Sequence, residues 1–581
     1  MSLAAAGLPI GSLLRAQMAS RGVQALSRGK ASGLPFNAHL VNVAHTAGLD
    51  APVIYGGIER NDYILESMGC GAAFIDYDND GWVDIVMPTG RRLEATPAGA
   101  KIRLYKNNRN GTFSDVTEHS GLGLSVWACG VTAGDYDNDG FDDLFITCWG
   151  GNLLFHNNGD GTFTDVTEKA GLRVAGAHYG SGCTWIDFDR DGRLDLFVGH
   201  YAVFDFAKIP PAGKDPSCNW KGVPVGCGPR GLGQETYRLY HNNGDGTFSD
   251  VSAKAGVALA RPGHALTAAA VDLDYDGWPD IYVACDGTPS LLFRNNHDGT
   301  FSEEGLPRGA ALSDDGQDQA GMGLAIGDFN TDGFIDLLKT HFAEDTPALF
   351  QNNGKAYFRD VTIRSGLGVE TRYVCWGAGM VDLDNDGLPD LFVATGMTYP
   401  EAERRLPQFP YRTPAFVYRN LGHGRFEELQ AEAGPGTQEL HSSRGVAFGD
   451  FDNDGDVDIL VVNLNEPPSL LRNDVSGTNH WLKVLLAGVT SNRSAIGAQV
   501  IATYGDRRQA QAVLAQSSYL SVSDRRLHFG LGKAASADLE IRWPNGQTEE
   551  ISKVAGDRLV VIAEGKGILR SQRFEGAGRS R

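Results

Sequence analysis

The sequence has no run of eighteen or more apolar residues, so it offers no helix able to cross a membrane. It has no surplus of basic charge either. The formal net charge is −21, and such a chain repels nucleic acid and anionic membrane surfaces. The nucleophile elbow G-x-S-x-G and the zinc-protease helix H-E-x-x-H are both missing, which removes two readable marks of a hydrolase. Cysteine is sparse, with eight in 581 residues. Glycine is plentiful at 75 residues but follows no G-X-Y period, so it signals tight turns rather than a collagen helix. Hydrophobic residues make up 42%, enough for a globular core.

What is present in abundance is acid at fixed spacing. The pattern D-x-D-x-D-G-x-x-D, with one Asn for Asp, occurs seven times, starting at Asp76, Asp135, Asp187, Asp272, Asp328, Asp382 and Asp450. Small and apolar residues precede each copy, and an apolar run of about four residues follows it, too short for a helix and apt for a strand. A second signal comes next, as in LYKNNRNGTFSDVT or LFHNNGDGTFTDVT: an Asn/Gly or Asp/Gly turn between apolar residues, which is a hairpin signature. Each unit therefore reads as strand A, acidic loop, strand B, variable connection, strand C, turn, strand D. Four antiparallel strands per unit of about 50–60 residues make one propeller blade. The fold expected is all-β: a seven-bladed β-propeller over residues 40–475 and a small all-β domain over 476–569. The phrase Val41–Leu49 resembles a D strand yet precedes the first acidic loop, so it is expected to complete blade seven.

The loop has the geometry of a calcium site. Ca2+ takes six to eight oxygens, and alternate carboxylates with a glycine at position six can wrap one ion, position nine closing the shell with both its oxygens. The expected ligands are Asp76, Asp78, Asp80 and Asp84 in the first loop; Asp135, Asp137, Asp139 and Asp143 in the second; and Asp187, Asp189, Asp191 and Asp195 in the third. The rest are Asp272, Asp274, Asp276 and Asp280; Asp328, Asn330, Asp332 and Asp336; Asp382, Asp384, Asp386 and Asp390; and Asp450, Asp452, Asp454 and Asp458. Up to seven Ca2+ ions would offset much of the charge, taking −21 to about −7. Placed between strands A and B of each blade, they read as structural.

The other features are softer. Cys218 and Cys227 sit in a Pro/Gly-rich insertion, SCNWKGVPVGCGPRGL, where a disulfide would rigidify a segment with no core of its own; the other six cysteines read as free buried thiols. Residues 1–39 read as a leader, either the remnant of a secretory signal or a disordered segment, and residues 570–581 as a disordered tail. The long B–C and D–A connections share the face opposite the acidic loops. At the strand ends there, Thr89, Cys148, His200, Cys285, His341, Thr395 and Asn463, with Trp127, Tyr179, His264, Trp376 and Arg444, are candidates to line a central pocket. Three of these are histidines, which could bind a transition metal.

Two stretches carry a family resemblance. The acidic repeats with NNGDGTF turns resemble FG-GAP/VCBS-type repeats. The segments NRSAIGAQVIATYG from Asn492, SSYLSVSDRRLHFGLG from Ser517 and LEIRWPNGQTEEI from Leu539 resemble the ASPIC/UnbV domain. The combination resembles the cartilage acidic protein family and its bacterial relatives, over roughly residues 40–565. The resemblance implies a calcium-binding propeller that is usually secreted, and says little about activity. The favoured reading is an extracytoplasmic, monomeric binding module for a protein or glycan, with no nucleic-acid partner, no organic cofactor and no catalytic residue that can be named. The alternative is an enzyme, for example a natural-product tailoring one, with a pocket on the loop face.

Overall fold

The computed structural model describes residues 20–574. Seven four-stranded antiparallel sheets follow one another around an axis. Six are consecutive in the chain, with inner strands Ala73–Ile75, Trp127–Gly134, Gly180–Ile186, Ala265–Val271, Leu324–Gly327 and Cys375–Val381. The seventh has Ser443–Gly449, Asp458–Asn463 and Ser469–Asn473, and takes its outer strand from the N-terminal side. Leu40–Asn42 pairs antiparallel with Ser469–Asn473, Leu40 opposite Asn473. The ring is thus closed by non-local pairing, and no blade is left with an open edge at the junction.

Inner strands of neighbouring blades lie side by side, which sets a tight limit on side-chain size. Five residues before the first aspartate of the loop stands a glycine in six blades: Gly71, Gly130, Gly182, Gly323, Gly377 and Gly445. A Cβ at Gly323 would lie 2.0 Å from the carbonyl oxygen of Trp376, and one at Gly71 would lie 1.7 Å from that of Leu520. The fourth blade has Thr267 there, and its hydroxyl donates to the Met322 carbonyl at 2.8 Å.

The C-terminal domain consists of two four-stranded sheets. Two of its strands, Thr548–Ala555 and Gly567–Gln572, were not expected from sequence. Both are polar and largely exposed edge strands, so neither shows the apolar alternation that marks a half-buried one. The second corrects the expected disordered tail: residues 570–572 pair with the strand Arg558–Ala563 after a turn at Gly565 and Gly567, both left-handed. The expected leader is corrected in the same way. Residues 20–39 lie along blades five and six, with Val23 N donating to Glu344 O at 2.9 Å, Leu26 N to Gly368 O at 2.8 Å, and Arg28 paired with Glu428 at 2.8 Å. Backbone bonds and ion pairs hold this segment, which is why hydropathy missed it. Residues 1–19 and 575–581, on which the rest of the leader and tail expectations fall, lie outside the described residues.

The domain covers the acidic-loop face of the disc. Ala510 N donates to Asp328 Oδ2 at 3.0 Å, Gln499 to the Asp272 carbonyl at 2.6 Å, and Tyr504 OH to the Gly387 carbonyl at 3.1 Å. Arg525 pairs with Asp142 at 2.6 Å, and the buried Lys483 lies 3.4 Å from Asp450. One segment goes further and enters the axis. Tyr519 is fully buried, its ring 5.1 Å from that of Trp376, and its hydroxyl donates to the Met68 carbonyl at 3.0 Å. Around it, Ser518 N donates to Leu324 O at 2.7 Å, Val131 N to Leu520 O at 3.1 Å, and Val522 N to Ala72 O at 2.9 Å. A plug from the second domain thereby adds backbone bonds to the inner strands of blades one, two and five.

Candidate metal centres

The seven acidic loops share one local construction. Position one ends beside the inner strand, and its Oδ2 accepts the N–H of the glycine at position six in every blade, at 2.7–3.2 Å. Position five accepts the N–H of position seven, again in all seven, at 2.9–3.0 Å. Both the glycine at six and the residue at four have left-handed φ: Asn79, Asn138, Arg190, Tyr275, Thr331, Asn385 and Asn453 lie between 52° and 61°. Four of these are asparagine, a non-glycine residue that tolerates this region well.

Position nine is the first residue of strand B and is buried in every blade. Its Oδ1 accepts the backbone N–H of the asparagine that ends strand C, for example Asn157 N to Asp143 at 2.8 Å and Asn352 N to Asp336 at 2.7 Å. In five blades its Oδ2 also accepts the N–H of position two, as with Phe451 and Asp458 at 3.1 Å. This carboxylate therefore ties strand C to the loop as well as facing it, a role not read from the spacing alone.

The asparagine itself is a residue that sequence reasoning passed over. Its side-chain amide crosses to the preceding blade and donates to the carbonyl of position two there: Asn107 to Phe451, Asn157 to Tyr77, Asn242 to Tyr136, Asn295 to Phe188, Asn352 to Leu273, Asn420 to Phe329 and Asn473 to Leu383, at 2.7–2.9 Å. The signal was the Asn that ends each strand C, present in all seven units and followed by a second Asn in five of them. Asn157→Ala strips two buried carbonyls of their donor and should cost about 3 kcal/mol in denaturant unfolding. A cost near zero would mean that the clasp is redundant.

The loops gather carboxylates closely. Ligand atoms of Asp76, Asp78 and Asp84 lie within 4.8 Å of one another. Burial and mutual repulsion push the acids up: Asp76 to about 6, Asp135, Asp143, Asp195, Asp272 and Asp328 to about 7, and Asp84 and Asp187 to about 8. Several buried oxygens have no hydrogen-bond partner: Asp78 Oδ1, Asp84 Oδ2, Asp187 Oδ1, Asp189 Oδ1, Asp274 Oδ1 and Asp336 Oδ2. Hard oxygen donors, converging and unsatisfied, fit a calcium ion. The residue before the clasp asparagine hangs over the same loop and differs by blade. Lys106 pairs with Asp78, and Arg294 with Asp274 at 2.7 Å and Asp276 at 2.9 Å, whereas His156 lies 3.2 Å from Asp143 and His241 3.1 Å from Asp195 without good alignment.

Two sequence families match this architecture. Residues 76–146, 135–198, 230–283, 272–339 and 410–461 match the FG-GAP-like repeat, and residues 488–569 match ASPIC and UnbV. The chain is an FG-GAP-like repeat protein with an ASPIC and UnbV domain. This FG-GAP protein is similar to cartilage acidic protein 1 of Homo sapiens, 24% identical over 85% of this chain and 71% of that one. It is similar to the Xenopus tropicalis protein of the same name at 25% over 84% and 72%. Among solved structures, an Agrocybe aegerita lectin that recognises non-reducing terminal N-acetylglucosamine matches at 17% identity, covering 70% of this chain and 93% of that one, with a TM-score of 0.38.

The central pocket expected on the opposite face is corrected. All twelve of its candidate lining residues are buried, and the axis they surround is filled. Arg444 stacks over Trp376 at 4.0 Å and donates to the Ser67 carbonyl at 2.7 Å, Tyr55 meets Trp127 edge-on at 6.0 Å, and Tyr519 enters from the other side. The three candidate histidines each take a local partner: His200 Nδ1 donates to Thr236 O at 2.8 Å, His264 Nδ1 to Tyr201 O at 2.8 Å, and His341 Nε2 accepts from Ala348 N at 3.2 Å. Above them the long connections pack on one another, Phe204 and Phe206 on Tyr63, and Phe409 on Trp220. Cys218 and Cys227 form the expected disulfide in this cap, and the other six cysteines are free and buried.

Proposed function

We propose that this FG-GAP protein is a calcium-stabilised interaction module that recognises a protein or glycan through the face opposite its acidic loops. The observation that carries the reading is the unequal fate of the two faces. The acidic-loop face is covered by the ASPIC and UnbV domain, whereas the connections on the other face carry exposed apolar side chains, including Ile58, Leu93, Val203, Leu259 and Leu440. Rigid scaffolds commonly place recognition on such loops. Calcium holds each loop, its support being the unpartnered carboxylate oxygens. Loops one and four carry Lys106 and Arg294 against their own carboxylates, so these two bind the ion more weakly than loop five, where Gln351 takes that place.

An extracytoplasmic setting is supported by the Cys218–Cys227 pair, since oxidising compartments preserve disulfides. Among the described residues no helix is long and apolar enough to cross a membrane. The protein acts as a monomer and needs no catalytic group. The test is a screen of the calcium-loaded protein on arrayed glycans and extracellular proteins, repeated with Ile58→Asp plus Val203→Asp. Saturable binding lost in the double variant, at an unchanged melting temperature, is the expected result. Binding retained in that variant would remove the assignment to this face.

A further inference from the structure

Away from the acidic loops, three ligand-bearing side chains of blade three converge on the opposite face. His178 lies just before the inner strand Gly180–Ile186, His200 ends the second strand Asp195–His200, and Glu235 lies just before the third strand Arg238–Asn242. One donor atom from each falls within 4.8 Å of the other two. The two imidazole rings have centroids 5.8 Å apart, and His178 Nδ1 touches the Glu235 carboxylate.

One hydrogen bond on each ring fixes which nitrogen keeps a lone pair. His178 Nε2 donates to the Ala175 carbonyl at 2.9 Å, and His200 Nδ1 to the Thr236 carbonyl at 2.8 Å. A carbonyl only accepts, so each of these nitrogens carries the hydrogen. In the neutral rings this leaves lone pairs on His178 Nδ1 and His200 Nε2. A ligating histidine commonly has its other nitrogen fixed in this way by a carbonyl, which sets both tautomer and ring direction. Burial favours the neutral form of His200, which is 1% exposed. Glu235 is positioned by its bridge to Gly263 of the next connection.

We propose that His178, His200 and Glu235 form a mononuclear site for a divalent transition-metal cation of the zinc class, separate from the acidic loops. Two imidazole nitrogens and one carboxylate suit a borderline ion at tetrahedral geometry and do not suit calcium, which takes six or more oxygens. Three protein ligands leave the fourth position to water or to a ligand atom. The place gives the ion a task. The insertion that carries the disulfide leaves blade three after His200 and returns before Glu235, with Val203 bridged to Gly233 at its neck. A metal on these residues pins that neck to the blade, directly beneath the loops proposed to meet the partner.

The experiment uses the full chain in excess calcium, so that the acidic loops are saturated. Zn2+ is titrated by calorimetry, and Co2+ is added to a parallel sample for its visible absorption. One zinc per chain is expected, together with the intense d–d bands of tetrahedral cobalt. His178→Gln, at a half-buried position, and the isosteric Glu235→Gln should each weaken zinc by at least about tenfold while the calcium-loaded melt stays unchanged. His156→Gln and His241→Gln, which alter the acidic loops, should leave zinc binding as it was. Three results overturn the site: no zinc uptake by the wild-type chain, uptake that excess calcium abolishes, or uptake indifferent to both blade-three variants. The calcium reading is untouched by any of these, because it is scored on the melt.

Discussion

Removing calcium should lower the melting temperature by about 15 °C. An ion that binds only the folded chain stabilises it by about 2.7 kcal/mol at a free concentration a hundredfold above Kd, and seven sites multiply this. The unfolding entropy of a chain this long is roughly 1.2 kcal/mol/K, which converts the total into a shift of that size. The physical source is the buried acid. Without an ion, Asp84 and Asp187 are pushed to about 8 and Asp135 and Asp143 to about 7 by desolvation, with repulsion adding to it. Raised values mean that the metal-free folded state keeps protons that the unfolded chain has already shed. Its stability is therefore full below the ordinary carboxylate range and is lost as pH rises through 6 to 8. The calcium-loaded protein, whose ligands are deprotonated in both the folded and the unfolded state over that window, should hold nearly level, so the gap between the two widens as pH rises. Melting scans at pH 5 and pH 8, on dialysed and calcium-loaded samples, test both the size of the gap and its widening with pH. Equal melts with and without calcium at pH 8 would dismiss the metal.

The loops were legible because each is a local device. Carboxylates at alternate positions, a glycine at six and an Asn/Gly turn further on require no knowledge of neighbours, and sevenfold recurrence turned a weak motif into a fold. Closure by Leu40–Asn42 was legible for the same reason, since a D-strand phrase stood where no blade preceded it. What escaped was relational. The first Asn of each NN turn was read as turn chemistry, yet its amide reaches the preceding blade, a contact that exists only once the ring has closed. The inner-strand glycines were read as generic small residues, whereas Gly323 is fixed by the backbone of the neighbouring inner strand and Gly71 by that of the plug segment. His200 was placed with His264 and His341 because each lies near a strand end. The structure instead turns it toward His178 and Glu235 of its own blade, a grouping that depends on where the insertion returns. Likewise nothing local marked Ser517, Ser518, Tyr519 and Ser521 as a plug.

Tyr519→Ala should cost about 4 kcal/mol and loosen the coupling of the two domains, because that side chain anchors a segment of the second domain in the axial core of the disc. Its ring sits in the axial cluster with Trp127, Tyr179 and Trp376, while the strands that hold its segment belong to the domain outside. Truncating a large buried aromatic commonly costs 3–5 kcal/mol through lost burial and the cavity left behind. Here the backbone adds a second penalty, since Ser518 and Leu520 both adopt left-handed φ, at 57°, an expensive conformation for leucine that persists only while the bonds of Ser518 to Leu324 and of Leu520 to Val131 hold the segment. Losing the ring removes the reason for the segment to stay in. Tyr519→Phe separates the contributions: it keeps the ring, deprives the Met68 carbonyl of its donor, and should cost about 1–2 kcal/mol. Urea unfolding of the calcium-loaded protein gives the energies. Limited proteolysis in the connection near residues 474–479 reports the loosening, with the alanine variant cut early and the phenylalanine variant resisting like the wild type. A Tyr519→Ala protein that unfolds within about 1 kcal/mol of wild type would mean that the axis repacks without the plug and that the domain is held by its loop-face contacts alone.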